Sequence, residues 1–220
     1  MEKIKLPDVT LVAVDCTNRI KNTLKALKHC IAKIDFGEVV ILTNRKPGLT
    51  KELPKFYTYK HIKKIENINQ YNHFMFLELG NYIETSHCLT VQDHAYILYP
   101  ELWDNNWLKY DYIGAPWNYS EKFYIANTGE HVRVGNGGFS LRTKKLCGLP
   151  AKMGWELRQE QGYYNEDGNV CSYWRKEMLE QGIKYAPIEV ASKFSYENLM
   201  VENYRVKPFG FHRNFPIKTF

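Results

Sequence analysis

Two kinds of place in this sequence can carry chemistry: a pair of carboxylates just ahead of a helix, and polar clusters that end strands. Asn165, Glu166, Asp167 and Gly168 put two adjacent acids before an apolar repeat at Val170, Trp174 and Met178. The positive end of a helix dipole helps to keep a carboxylate there ionised. Two readings stand: Asp167 caps the helix, or Asp167 or Glu166 reaches a substrate hydroxyl and takes its proton as a general base. Gly135, Asn136, Gly137 and Gly138 run directly into Phe139, Ser140 and Leu141. The segment has neither the G-x-x-x-x-G-K-[ST] spacing of a phosphate loop nor the G-x-G-x-x-G of a dinucleotide fold, so neither an ATPase nor a dehydrogenase follows from it. It is either a tight turn or a place where backbone approaches a flat ligand closely, because glycine has no Cβ. The seven histidines show no H-E-x-x-H or paired spacing that would announce zinc. His94 and His212 therefore gain interest only from their neighbours.

The elements that must position these residues can be read from periodicity. Val9 to Val14 is a β-branched run that ends in Asp15, Cys16, Thr17 and Asn18, and a helical repeat of Ile20, Leu24, Leu27, Ile31 and Ile34 follows. Val39 to Leu42 is a second buried strand closed by Thr43, Asn44 and Arg45, and Phe56 to Ile62 is a third. A second helical repeat, Tyr71, Met75, Leu79 and Tyr82, leads to a strand at His87 to Val91 that stops at Gln92, Asp93 and His94. Alternation of this kind predicts an α/β domain with a mainly parallel sheet flanked by helices, in which ligands gather at the carboxyl ends of the strands. From about Tyr96 onward, aromatic-rich segments punctuated by Gly and Pro, among them Tyr112 to Trp117 and Val132 to Arg142, predict mixed strands and loops. No repeat or linker interrupts residues 1–220, which are expected to form one domain.

Composition narrows the classes. The net charge of +6 comes from 30 Lys and Arg spread along the chain without a block or stripe, so no dedicated nucleic-acid site is signalled. A mildly basic surface still suits polyanionic partners, such as a pyrophosphate or an anionic membrane face. Five cysteines, odd in number and without a C-x-x-C pair, read as reduced thiols. With no signal-like N-terminus and no run of 18 apolar residues, the expectation is a cytoplasmic protein without a transmembrane segment, peripheral membrane contact being left open.

Taken in order, VTLVAVDC, YNHFMF, LTVQDHAYILYPELW, YDYIGAPW, RVGNGGFSLR, NEDG and PFGFHR resemble a family of small GT-A-like glycosyltransferases of bacteria and large viruses, over nearly the whole chain. The resemblance implies a Rossmann-related single domain, with a nucleotide-binding half at about 9–95 and an acceptor half at about 96–215. It also implies transfer of a sugar from a nucleotide diphosphate donor, UDP-sugar favoured, to a glycan hydroxyl. Asp15, Cys16 and Thr17, with Asn44 and Arg45, would hold base and ribose, and Tyr71 and Asn72 would close that pocket. Gln92, Asp93 and His94 stand where such enzymes carry the acidic D-x-D element. Asp93, His94 and His212 would then surround a divalent metal, Mn2+ or Mg2+. Trp117 with Gly135, Asn136, Gly137 and Gly138 would shape the sugar and acceptor cleft. Asp167, or Glu166 in its place, would be the base, which implies inversion at the anomeric carbon. One departure is visible: the expected metal-binding acid falls on His94, and the acid present, Asp93, falls at the middle position. A non-catalytic nucleotide-sugar or glycan-binding domain on the same fold is the competing expectation.

Overall fold

The run Val9 to Val14, expected as the first strand, is buried from Val9 to Ala13 and forms the second part of a longer strand. In the computed structural model, which describes residues 3–45, 57–119, 129–159 and 165–213, this strand is β1 (Ile4–Val14). Leu11 and Ala13 enter one hydrophobic cluster and Val12 the other, as expected for a strand in a sheet covered on both faces. Helix α1 (Ile20–Ile31) buries Ile20, Ala26 and Leu27 and turns Lys21, Lys25 and Lys28 outward. The helical repeat in the sequence extends to Ile34, but the helix ends at Ile31 and Ile34 opens β2 (Ile34–Thr43), paired with Ile4 of β1. An apolar residue three places beyond a helix satisfies the helical period equally well whether it lies on that helix or starts the next strand. β3 (Thr58–His61) falls inside the expected third strand, whose first residue, Phe56, lies outside the described residues.

Helix α2 (Ile68–His73) begins at Asn67, whose side chain accepts a hydrogen bond from the Gln70 amide at 3.0 Å. It passes into a π-helical turn at Phe74–Glu78 and a 3-10 turn at Leu79–Tyr82. β4 (His87–Val91) and β5 (Ala95–Ile97) follow, then β6 (Tyr112–Ile113), β7 (Ala115–Pro116), β8 (Val134–Gly135) and β9 (Phe139–Thr143). Helices α3 (Lys144–Met153), α4 (Glu166–Gly168), α5 (Arg175–Glu180) and α6 (Ile188–Phe194) lead to β10 (Ser195–Tyr196) and β11 (Gly210–His212). A second π-helical turn, Asn169–Tyr173, joins α4 to α5.

The main sheet has six strands in the order β3-β2-β1-β4-β9-β6. β3, β2, β1 and β4 are mutually parallel, whereas β9 runs antiparallel to both β4 and β6. A three-stranded sheet, β10-β11-β5, and the pair β7-β8 build the edge of the site. One core cluster lies on the α1 and α6 face, where Trp107, Phe139, Phe194 and Phe209 meet in edge and tilted contacts. The other lies under the helical segment 68–82 and α3, around Val40, Leu42, Phe76, Leu79 and Leu146. The five cysteines are free and buried. Among the described residues no helix is long and apolar enough to cross a membrane.

Candidate active site

The strand order reverses between β1 and β4, with β2 and β3 on one side and β9 on the other. Ligand clefts of α/β sheets form at such a reversal, outside the carboxyl ends of the strands. Asp15 follows β1 there, and Gln92, Asp93 and His94 follow β4. Because β9 is antiparallel to β4, with Phe139 opposite Val91, the loop 135–138 arrives at the same edge, and the Gln92 amide donates to the Gly138 carbonyl at 3.2 Å. β11 pairs antiparallel with β5 so that His212 stands opposite Ala95, which carries it beside His94. The result is a cavity of about 470 Å3 between these strand ends, the start of α2 and the Asn165–Asp167 segment.

His94 and His212 face each other across this cavity with Nε2 to Nε2 at 2.9 Å. Each has a carboxylate behind it: Asp93 Oδ1 is 2.7 Å from His94 Nδ1, and Glu197 Oε1 is 3.2 Å from His212 Nδ1. An ionised carboxylate can only accept, so His94 Nδ1 is the donor and His94 Nε2 presents its lone pair to the cavity, whereas His212 Nδ1 also meets the donor Nδ2 of Asn136 at 3.0 Å, and accepting from it leaves His212 Nε2–H to donate towards His94 Nε2 and Gln92 Oε1. Burial, opposed by Glu197, pushes the His212 pKa down and favours that neutral form. Burial also opposes ionisation of Glu197, but His212, Asn136 and Arg213 together hold its carboxyl below the usual range. Gln92 Oε1 lies 3.1 Å from His212 Nε2, and its amide is oriented by Nε2 donating to the Tyr71 hydroxyl at 3.0 Å. His94 Nε2, His212 Nε2 and Gln92 Oε1 thus converge on one point of the cavity, and these are atoms able to hold a cation once it displaces the proton shared among them. The chemistry differs from the expected ligand set. Asp93 turns its carboxylate to His94 Nδ1 and to Arg19 Nε at 3.2 Å, and Gln92 supplies the third converging atom. Among the described residues no group of three His, Cys, Asp or Glu side chains is arranged to hold a metal.

The two candidate bases separate sharply. Glu166 is buried and its carboxylate is bidentate on the buried Arg142, at 3.0 and 2.9 Å. Arg142 also donates to Ser140 Oγ at 2.9 Å and lies over the Tyr112 ring. Both oxygens of Glu166 are thus engaged by a guanidinium. Asp167 lines the cavity and accepts from the Gly137 amide at 3.0 Å and the Gly168 amide at 2.9 Å. Burial and the Glu166 charge push its pKa up to about 6 against those bonds and Arg142. Asp167 does not cap α4, because it lies within that helix and Asn165 takes the position before its first residue.

The glycines of 135–138 make room for side chains of the protein itself. A Cβ on Gly135 would strike the Trp117 ring, one on Gly137 would strike Glu166, and one on Gly138 would strike the His212 imidazole. Asn136, with φ of 68°, turns its side chain inward, where Oδ1 accepts from the Gly138 amide at 2.9 Å and Nδ2 lies 3.0 Å from His212 Nδ1. Trp117, Asn136, Gly137 and Gly138 line the cavity; Gly135 lies behind Trp117.

On the β1 side, Asp15, Cys16 and Thr17 line the cavity together with Tyr71 and Asn72. Asp15 is committed internally: its oxygens accept from the Thr17 amide at 2.6 Å and the Thr23 hydroxyl at 2.5 Å, which pins the loop to α1. Asn72 accepts from the Glu166 amide at 3.3 Å and so ties the two walls together. Asn44 and Arg45 are not among the lining residues. They follow β2, one strand away from the reversal, and Arg45 reaches only the rim through Asn18 Oδ1 at 2.6 Å. Residues that sequence reasoning missed are Arg19, Thr23, Glu197 and Arg213. Arg213 ends the quoted segment PFGFHR and Arg19 lies close to another, but Glu197 belongs to none, and the pairing of β10 with β11 brings it to His212.

Similarity to known proteins agrees with this geometry at the level of fold. The chain is similar to an active-site mutant of LgtC, with a TM-score of 0.59 at 15% identity, over 94% of this chain and 88% of that one. It is similar to the galactosyltransferase LgtC in complex with donor and acceptor sugar analogs, with a TM-score of 0.55 at 14% identity, over 94% and 87%. The apo-form glycosyltransferase GlyE of Streptococcus pneumoniae TIGR4 gives 0.52 at 10% identity, over 98% of this chain and 55% of that one. The fold is therefore that of the GT-A glycosyltransferases, a mixed and mainly parallel sheet flanked by helices. No curated protein matches the sequence significantly. A family model described as protein of unknown function (DUF5672) matches residues 56–212, and the chain belongs to that family.

Proposed function

We propose that this protein is a glycosyltransferase that moves a sugar from a nucleotide diphosphate donor, UDP-sugar favoured, to a glycan hydroxyl with inversion. The observation that carries the reading is the meeting, in one cavity at the sheet's reversal point, of the converging Gln92, His94 and His212 side chains and a separate acid, Asp167, with a pKa pushed up to about 6. Asp15 to Thr17, Tyr71 and Asn72 form the wall suited to base and ribose, and Arg19 and Arg213 add positive charge where a diphosphate would lie. Gln92, His94 and His212 would hold a divalent cation, which when bound supplies Lewis-acid neutralisation of charge on the leaving diphosphate, worth several kcal/mol. Trp117 offers a ring face to a sugar. Asp167 takes the acceptor proton as the glycosidic bond to the donor breaks and the new one forms, a contribution of about 10²- to 10⁴-fold.

A second reading, a nucleotide-sugar or glycan-binding domain without turnover, is favoured by one feature: none of the three converging atoms belongs to a carboxylate. Incubation of the full chain with UDP-, GDP- and dTDP-sugars, with and without divalent cations, separates the two. Release of nucleotide diphosphate together with a ligand-induced rise in Tm is the expected outcome. A rise in Tm without release selects the second reading, and no response to any donor overturns both.

A further inference from the structure

We infer that the segment 197–207 docks this protein reversibly on an anionic lipid bilayer, with Val201 and Tyr204 entering the headgroup layer and Arg205 and Lys207 meeting its phosphates. The segment joins β10 to β11 and folds around a 3-10 turn, Val201–Asn203. Residues three apart in such a turn share a face. Met200 and Asn203 take the inner face and are buried; the Asn203 side chain accepts from the Met200 amide at 2.8 Å and donates to the Asn198 carbonyl at 2.7 Å. Val201 and Tyr204 take the outer face, 92% and 56% exposed, and nearby Leu199 is 60% exposed. Apolar side chains scattered singly over a surface need no explanation, but three on one short loop whose inner face is already filled form a patch that marks an interaction site.

Charge selects the occupant. Both acids of the segment are engaged, Glu202 with Arg133 at 2.7 Å and Glu197 at the cavity with His212 at 3.2 Å. The exposed charges left on the loop are positive. The Arg205 guanidinium lies over the Tyr204 ring at 5.1 Å and Lys207 Nζ over the Tyr99 ring at 5.5 Å. Exposed Lys193 adds a cation at the same edge, since its carbonyl accepts from the Phe209 amide at 2.8 Å. Tyrosine and aliphatic side chains flanked by Arg and Lys suit a bilayer interface, where the apolar parts sink to the headgroup boundary and the cations meet lipid phosphate. Lysine is depleted from protein interfaces, which argues against a protein partner. Docking also orients the cavity. Glu202 holds Arg133, whose Nε donates to the carbonyl of Trp117 at 3.0 Å, and Trp117 and Glu197 both line the cavity. An acceptor hydroxyl carried on a lipid then reaches the cavity from its Trp117 side, a consequence that rests on the donor-site reading, whereas the docking does not.

The test is co-sedimentation of the full chain with vesicles of phosphatidylcholine alone and of phosphatidylcholine mixed with phosphatidylglycerol. Binding is expected to the anionic vesicles and should fall as ionic strength rises. Val201→Asp should lower the partition coefficient about 10-fold or more through lost apolar burial, and Arg205→Glu with Lys207→Glu at least about 10-fold through lost attraction. Circular dichroism should stay unchanged in both variants, and Val201→Leu should bind as the parent does. A second readout is Val201→Cys carrying an environment-sensitive dye, which the five buried native cysteines allow to be placed selectively. Its emission should shift to the blue on anionic vesicles. Equal binding to both kinds of vesicle, or binding indifferent to Val201→Asp and to the charge reversals, would overturn the inference. So would dimers of the free chain that Val201→Asp dissociates while no vesicle is bound, which would assign the patch to a second copy. Vesicle binding by a chain whose Tm no nucleotide raises would instead overturn the donor-site reading and leave the docking standing.

Discussion

Glu166 and Asp167 are neighbours in the chain and meet different surroundings, and the difference decides what each can do. Glu166 neutralises a buried guanidinium, and removing one partner of such a pair strands the other charge. Glu166→Gln is therefore expected to lower stability by about 3–5 kcal/mol, read from chemical denaturation, before any effect on chemistry is considered. Asp167→Asn should behave in the opposite way: transfer falls about 10²-fold or more, nucleotide affinity holds, and the fold persists because an amide oxygen can still accept from Gly137. The pH dependence carries a sign that can be checked. A base must be ionised, so transfer should rise with pH through about 6, the value to which burial and Glu166 push this acid. A raised folded-state pKa also means that the protonated acid stabilises the fold, fully below its unfolded value and progressively less as pH rises through 6. Activity and this stability contribution thus run in opposite directions, and Asp167→Asn should abolish both slopes. A rate profile unchanged by the substitution would remove Asp167 from the chemistry.

At the scale of elements, the site depends on two strands that arrive antiparallel, β9 with its glycine loop and β11 with His212. Gly138 is where they meet, because the His212 ring occupies the space of its missing Cβ. Gly138→Ala is expected to cost about 1–3 kcal/mol from overpacking. It should also displace His212 from Gln92 and His94, so that cation titration detects a loss far larger than the Tm predicts. If cation affinity survives with Tm lowered, the ring is seated by Glu197 and Asn136 alone. The strands of the parallel half were legible in sequence because aliphatic runs such as Val9 to Val14 and His87 to Val91 end in polar clusters. The clustering of Asp15, Gln92 and His94 followed from their common place at the carboxyl ends of strands. Arg45 misled for the same reason: every strand of a parallel sheet ends on that edge, and only topology says which ends flank the reversal. The π turns at Phe74–Glu78 and Asn169–Tyr173 keep the apolar period of a helix and so leave no sequence mark. Glu197 and the Arg142 to Glu166 pair were invisible because their partners lie 15 and 24 residues away in contacts that no local period encodes.

Across the whole molecule, the walls of the cavity come from Asp15 near one end of the chain, through Tyr71, Gln92, Asn136 and Asp167, to His212 and Arg213 near the other. A site so distributed exists only when the central sheet and the edge sheet β10-β11-β5 are both formed, so ligand binding should report on the folding of the entire chain. A ligand that binds only the folded state at about 100 times its dissociation constant adds about 2.7 kcal/mol. With a urea dependence of about 1–3 kcal/mol per molar, that moves the unfolding midpoint by roughly 1 M or more while the slope stays fixed. The expectation is that UDP with its preferred cation shifts the midpoint seen by tryptophan fluorescence and by far-ultraviolet circular dichroism equally. Trp107 in the core and Trp117 at the cavity should then report a single transition. A shift seen by fluorescence alone, or a change in slope, would mean that the edge sheet β10-β11-β5 can open while the parallel strands stay folded. The coupling of donor binding to His212 would then be a local event rather than a property of the fold.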